Sequence, residues 1–301
     1  LKTSAVVVTY NRLSLLKECV NGLKQQTDPL AHIIIINNAS TDDTAVYLKE
    51  LKKNDNKNQF IIYNSSKNLG GAAGFNQGMK VFVEKTDDDC VWIMDDDTIP
   101  HRTSHSALSS AADALDNKFG FLCSDVRWTN GAPVNTPKVA PEWHKQIDKN
   151  LVKVEQATFV SVLISRKNIF KYGYPISEFV IWGDDTEYTT RLSREEECYF
   201  VNDSVVTHKT ATYLAGTTFA NDDPNRISRY EYMYRNLMYI AKKYYTRKKV
   251  ALQFSIGMYA GINVFLKAKT FRMKRLNAAI LGSIKGIFFN PKIEFPVKRT
   301  K

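Results

Sequence analysis

Along the first hundred positions apolar residues come in short unbroken runs, each followed by a stretch where they recur every three or four residues. AVVVTY (5–10), HIIIIN (32–37), FIIYN (60–64) and CVWIMD (90–95) read as buried strands. Between them Leu13, Leu16, Val20 and Leu23, then Val46, Leu48 and Leu51, fall at helical spacing, with Ser40-Thr41-Asp42-Asp43 as the N-cap cluster of the second helix. The glycine-rich NLGGAAGFNQGM (68–79) opens a further helix-like segment. Unbroken apolar strands separated by helices predict a mainly parallel sheet covered on both faces. Ligands of such sheets bind beyond the carboxyl ends of the strands, so the polar residues just after each run are the place to look.

The pattern changes after about 119. FGFLCSDV (119–126) and ATFVSVLISR (157–166) read as strands, joined by a Pro-, Trp- and Asn-containing stretch (128–150) long enough to suggest a functional loop. Residues 184–197 read as a helix with acids in its first turn, and 198–208 as a returning strand pair. Helical, aromatic-basic segments follow at 229–249, 252–269 and about 276–290.

Charge sharpens that division. The 301-residue chain has a net charge of +11, yet residues 224–301 hold 18 Lys/Arg against Glu231 and Glu294, a net of +16. Residues 1–223 hold 24 bases and 29 acids, a net of −5. Such a tail suits an anionic surface, whether nucleic acid, acidic lipid or a phosphorylated substrate. An apolar share of 44% excludes wholesale disorder. Cys19, Cys90, Cys123 and Cys198 lie far apart without a CxxC pair, which argues against a disulfide scaffold or zinc ribbon and for a reducing compartment. The chain opens at Leu1 with no signal-peptide pattern, and a few upstream residues are expected.

Asp95-Asp96-Asp97 carries the clearest chemistry. Three consecutive acids at the end of a buried strand repel one another unless a cation neutralises them. Carboxylates alone suit magnesium or manganese, ions that commonly share their shell with phosphates. Asp87-Asp88-Asp89 precedes its strand and reads as a solvated loop. Asp184-Asp185, followed by Glu187, offers a general base near an acceptor hydroxyl, and His208 at a strand end is a candidate third ligand. An aspartyl phosphatase also places DxD after a strand, but Thr98 stands one residue too early for it. The glycine-rich stretch lacks GxGxxG and GK[ST], so its glycines promise close backbone approach rather than a dinucleotide site.

In this order VVVTYNR (6–12), IINNASTDDT (35–44), NLGGAAGFNQG (68–78), WIMDDDTIP (92–100), FVIWGDDTEYTTR (179–191) and VVTHK (205–209) resemble family-2 glycosyltransferases of the GT-A fold, over roughly 1–215. Within that family they are most similar to bacterial galactofuranosyltransferases, with polysaccharide rhamnosyltransferases close by. The resemblance implies a GT-A catalytic domain over 1–222 and a basic helical region over 223–301 for membrane or acceptor association. It implies donor contacts from Thr9, Asn11, Arg12, Asn37, Asn38, Gly70, Gly71, Asn76 and Asp96. Asp95, Asp97 and His208 would hold Mn2+ or Mg2+, Asp185 would be the base, and Trp182 and Asp184 would meet the acceptor. Asn37 departs from the family's usual Asp, which bears on base selectivity. The expected partners are a nucleotide-sugar donor, a glycan or lipid-diphosphate-linked acceptor and an anionic membrane surface, with a homo-oligomer possible. That places the chain on the cytoplasmic face of the membrane. The non-enzyme alternative, a nucleic-acid-binding protein, lacks any recognised motif, and its acids would repel a phosphate backbone.

Overall fold

In a computed structural model, described for residues 1–210 and 218–297, the expected strand–helix alternation opens the chain. β1 (Thr3–Thr9), α1 (Leu13–Lys24), β2 (His32–Asn37), α2 (Thr44–Lys53), β3 (Phe60–Asn64), α3 (Gly71–Lys85) and β4 (Cys90–Asp95) follow in turn. Then come β5 (Thr98–Pro100), α4 (Ser104–Ala114), β6 (Leu122–Arg127), β7 (Lys138–Val139), β8 (Leu151–Gln156), β9 (Val162–Ser165), α5 (Arg166–Tyr172), α6 (Asp184–Ser193) and β10 (Tyr199–His208). The tail forms α7 (Ile227–Tyr244), α8 (Arg247–Lys267) and α9 (Arg272–Phe288).

The strands form one mixed sheet in the order β3-β2-β1-β4-β9-β6-β10-β8-β7, with β5 paired to β10. β3, β2, β1 and β4 run parallel, and β9 enters antiparallel between β4 and β6. Alternate side chains divide into two cores. Val7, Ile35, Trp92 and Met94 pack with Leu16, Leu23 and Leu108, while Val8, Ile36, Val91 and Ile93 pack with Phe75, Met79 and Tyr188. Strand order reverses at β1, so Thr9, Asn37 and Asp95 end on one edge beside the crevice where such sheets bind ligands.

Several sequence expectations change. The run 157–166 is strand only over Val162–Ser165, because Arg166 begins α5. The 128–150 stretch holds β7 and a 3-10 turn over Trp143–Lys149. The expected strand pair at 198–208 is one strand, β10, irregular between Val201 and Val205. The helix expected over 184–197 stops at Ser193. Nor is Asp88 solvated: it is 1% exposed and accepts the Ser4 hydroxyl at 2.6 Å, with His32 Nδ1 also at 2.6 Å. The glycines of the 68–78 stretch act in packing, since a Cβ on Gly74 or Gly78 would stand 2.5 Å from Val8 and 2.4 Å from Val6. Without those Cβ atoms α3 lies close against β1.

Packing also runs across position 222. Tyr239 and Ile240 of α7 share a cluster with Ala72, Ile176 and Phe179, and Phe289 beyond α9 joins it. The chain then returns over the sheet domain, where Tyr174 N–H donates to the Glu294 carbonyl at 2.8 Å.

Candidate active site

The acid turn after β4 faces the end of β10. Asp95, Asp97 and His208 each bring a ligand-type atom within 4.8 Å of the others. His208 Nε2 lies 3.1 Å from Asp97 Oδ1, and its Nδ1 lies 2.9 Å from Asn135 Oδ1, which fixes the ring so that Nε2 faces the acids. Among the described residues the Asp95 carboxylate makes no hydrogen bond. Burial, reinforced by the charges of Asp97 and Asp96, pushes it well above the usual carboxylate range. Two carboxylates as hard oxygen donors and one imidazole fit a divalent cation.

Arg12 covers this turn. Its Nη1 donates to Asp97 Oδ2 at 2.7 Å and to Asp96 Oδ1 at 3.2 Å. Burial opposes the guanidinium charge, but Asp97, Asp96 and Asp95 outweigh it and raise Arg12. Thr9 hydroxyl donates to Asp96 Oδ2 at 2.8 Å. Burial lifts Asp96 to about 6 even so, while His208 and Arg12 overcome burial at Asp97 and bring it down.

The remaining expected donor contacts divide. Asn11 accepts the Thr41 N–H at 2.7 Å and ties the loop after β1 to the loop after β2. Asn37 donates to Asn64 and accepts from Ser40 N–H, so both ends of its amide are engaged. Asn38 donates to Asn68 and to the Gly70 carbonyl. Gly70, at φ +89, leaves room for the Val180 carbonyl that a Cβ would meet at 2.1 Å, whereas a Cβ on Gly71 would stand in open space. Asn76 is placed elsewhere: buried, it donates to the Pro175 carbonyl at 2.7 Å and the Glu294 carboxylate at 3.3 Å, which explains its amide without a donor.

Asp184 and Asp185 open α6, where the helix N-terminus favours negative charge. Burial and then the charge of Asp185 push Asp184 up to about 8, so it stays protonated at neutral pH. Burial raises Asp185 as well, against the Thr186 N–H and hydroxyl at 2.6 and 3.2 Å from Oδ1. Once ionised, Asp184 would add its charge to that felt by Asp95, so the two acid groups lie near enough to sense each other. Trp182 packs edge-to-face on Tyr230 at 5.1 Å, with the Arg226 guanidinium 5.5 Å from its ring centre.

An acid raised to about 8 when folded, against about 3.9 unfolded, favours folding by staying protonated. That contribution falls as pH rises from about 4 to about 8. Asp184→Asn should therefore raise the melting temperature of the metal-free protein at pH 8 by a few degrees, with the gain shrinking toward pH 5. A melt series over that range checks it, and an equal shift at every pH speaks against it.

Arg191, Tyr244 and Asn236, which sequence reasoning missed, support the acid pair together with Glu187. Glu187, fully buried, takes Arg191 Nη2 at 2.5 Å and Nε at 3.1 Å, and accepts the Tyr244 hydroxyl. Asn236 of α7 donates to the loop just before Asp184.

Residues 4–165 match the family model described as Glycosyl transferase family 2. An uncharacterized glycosyltransferase of Haemophilus influenzae is 26% identical over 60% of this chain and 59% of its own. A GalNAc(5)-diNAcBac-PP-undecaprenol beta-1,3-glucosyltransferase of Campylobacter jejuni is 30% identical over 29% of each chain. The chain thus spans less than two thirds of these relatives. The crystal structure of GalNAc-T7 with UDP, GalNAc and Mn2+ shares the fold, with TM-score 0.64 and 15% identity over 92% of this chain and 54% of that one.

Proposed function

The chain belongs to glycosyl transferase family 2, and from that premise we propose an inverting, metal-dependent glycosyltransferase that moves galactofuranose from UDP-galactofuranose to a hydroxyl of a lipid-linked glycan. The convergence of Asp95, Asp97 and His208, with Asp184 near enough for its charge to reach Asp95, supports this reading. Asp185 takes the proton of the acceptor hydroxyl as that oxygen attacks the anomeric carbon. The nucleoside diphosphate leaves from the opposite face, and the configuration inverts. Arg12, which covers the acid turn, would face the departing phosphates. A divalent ion held by Asp95, Asp97 and His208 supplies Lewis-acid stabilisation of the leaving diphosphate.

UDP as the donor nucleotide draws support from the UDP in the GalNAc-T7 structure, and a lipid diphosphate acceptor from the undecaprenol-linked substrate of the Campylobacter relative. Galactofuranose rests on the motif resemblance of WIMDDDTIP and WGDDTEY. Calorimetric titration with UDP and dTDP, each with and without Mn2+, tests both choices. The expected result is tighter, metal-dependent binding of UDP. Preference for dTDP moves the donor to dTDP-rhamnose, and metal-independent binding removes the metal assignment.

The tail supports attachment to an anionic membrane surface. At 21 residues α8 is long and apolar enough by length and composition to cross a bilayer. Its contacts favour lying in the interface: Gly257 and Gly261 bring it close to Ser283 and Leu276 of α9, and α9 packs on α7 through Gly282 and Gly286. The other face exposes Leu252, Ile256, Tyr259, Ile262 and Leu266 at helical spacing. Lys and Arg near anionic lipid contribute about 1 kcal/mol each. Vesicles containing phosphatidylserine should bind the protein in a salt-sensitive way, and Ile256→Glu with Leu266→Glu should abolish binding. Failure of the unaltered chain to bind at any salt rejects the attachment. Point changes are needed because a deletion from 224 would remove α7 from the core.

A further inference from the structure

The loop that leads into Asp184 is held in an unusual backbone. Val180 sits at φ 65, ψ −62, Trp182 at φ 60, and Gly183 at φ 90. Non-glycine residues in this region are strained by about 1–3 kcal/mol each and persist only where their surroundings over-determine them. From one side α3 grips the loop, with Ala72 N–H donating to the Val180 carbonyl at 3.2 Å.

From the other side stands Asn236, fully buried on α7. Its Nδ2 faces three loop carbonyls: Phe179 at 3.0 Å, Ile181 at 3.3 Å and Trp182 at 2.7 Å. Its Oδ1 accepts Arg235 Nε at 3.0 Å and Nη2 at 2.9 Å, so the amide has one orientation that satisfies both ends. Arg235 is itself fixed, 3.9 Å over the Phe289 ring and donating to the Glu178 carbonyl at 2.7 Å. Gly183 lets the loop approach, since its added Cβ would stand 3.3 Å from Asn236 Cβ. One turn into α6, Tyr244 of the same α7 donates to Glu187.

We infer that Asn236 is a positioning residue that sets the place of Asp184 and Asp185 from the basic tail, making α7 part of the catalytic apparatus. This rests on the reading of Asp185 as base. Displacing a catalytic group by about 1 Å costs on the order of 100-fold in rate. The metal-site residues stand at the ends of β4 and β10, and the donor contacts beside them, Thr9, Arg12 and Asp96, follow β1 and β4 without touching Asn236, so donor binding should be spared.

The test uses the full chain with Asn236→Asp, which keeps the shape but replaces the donor with an acceptor facing three carbonyls. Turnover should fall about 100-fold while Mn2+-dependent UDP affinity stays within threefold. Trp182 emission, taken as the difference from a Trp182→Phe background, should become more open to acrylamide. That readout needs no turnover, so it reports whether Asn236 holds the loop even where an inactive wild-type chain sinks the glycosyltransferase reading, and the two failures stay distinguishable. If Asn236→Asp does not fold, Gly183→Ala strains the same loop and should give the same split. Wild-type turnover, or UDP affinity falling in step with turnover, overturns the assignment.

Discussion

Asp185→Asn is expected to lower turnover on the order of 10³-fold while UDP affinity changes less than twofold. A positioned general base contributes about 10²- to 10⁴-fold, and the amide cannot take the acceptor's proton. The change is otherwise conservative, because an asparagine Oδ1 can still accept the Thr186 N–H that lies 2.6 Å from Asp185. Asp184, protonated at neutral pH, is poorly suited to substitute, since a base must begin ionised. Steady-state kinetics beside calorimetry decide the matter. Wild-type turnover in the variant removes Asp185 from the chemistry, and lost UDP binding moves it to the donor.

The largest effect on stability is expected at Arg191. It is 7% exposed, pairs twice with fully buried Glu187, and donates through Nη1 to the Tyr172 and Tyr174 carbonyls at 2.7 and 3.0 Å. Arg191→Ala leaves an uncompensated carboxylate in the core, a loss of about 3–5 kcal/mol. Arg191→Met with Glu187→Gln removes both charges at similar volume and should recover much of that loss. Chemical denaturation of the three proteins measures it. A double variant no more stable than Arg191→Ala would place the stabilisation in the two carbonyl contacts rather than the ion pair.

The strands β1 to β4 were legible because unbroken apolar runs such as HIIIIN suit strands buried on both faces, and helical spacing filled the gaps. β8 was missed for the opposite reason: LVKVEQ buries only Leu151 and Val154, and its charged positions look like loop. The run through 157–166 misled because an apolar stretch states burial, not conformation, and Arg166 turns into a helix to reach the carbonyls of Phe82, Thr86 and Asp88. Asp88 looked solvated because Ser4 and His32, its partners, are distant in sequence.

At the site, Asp95, Asp97 and His208 were readable from the motif set, and the fold brings all three together. Asn236 was not. It sits among tyrosines and cations whose composition pointed to a surface, and only the fold shows it facing the 179–182 carbonyls. Its one visible signal was a lone amide on the apolar side of an amphipathic helix.

All four thiols are buried, and burial raises each of them, Cys90 to about 12. Cys19 differs in place, its sulfur 3.9 Å from Met94 Sδ and 4.0 Å from the Asp95 carbonyl, directly beneath the acid turn. Native protein should thus resist alkylating reagents, and modification should report opening of the structure rather than surface chemistry. Cys123 and Cys198 would time the unfolding of the whole sheet. Cys19 would time the local breathing of the turn that holds Asp95 to Asp97, so a cation slowing its modification alone would register occupancy with no sugar, donor or acceptor in the tube.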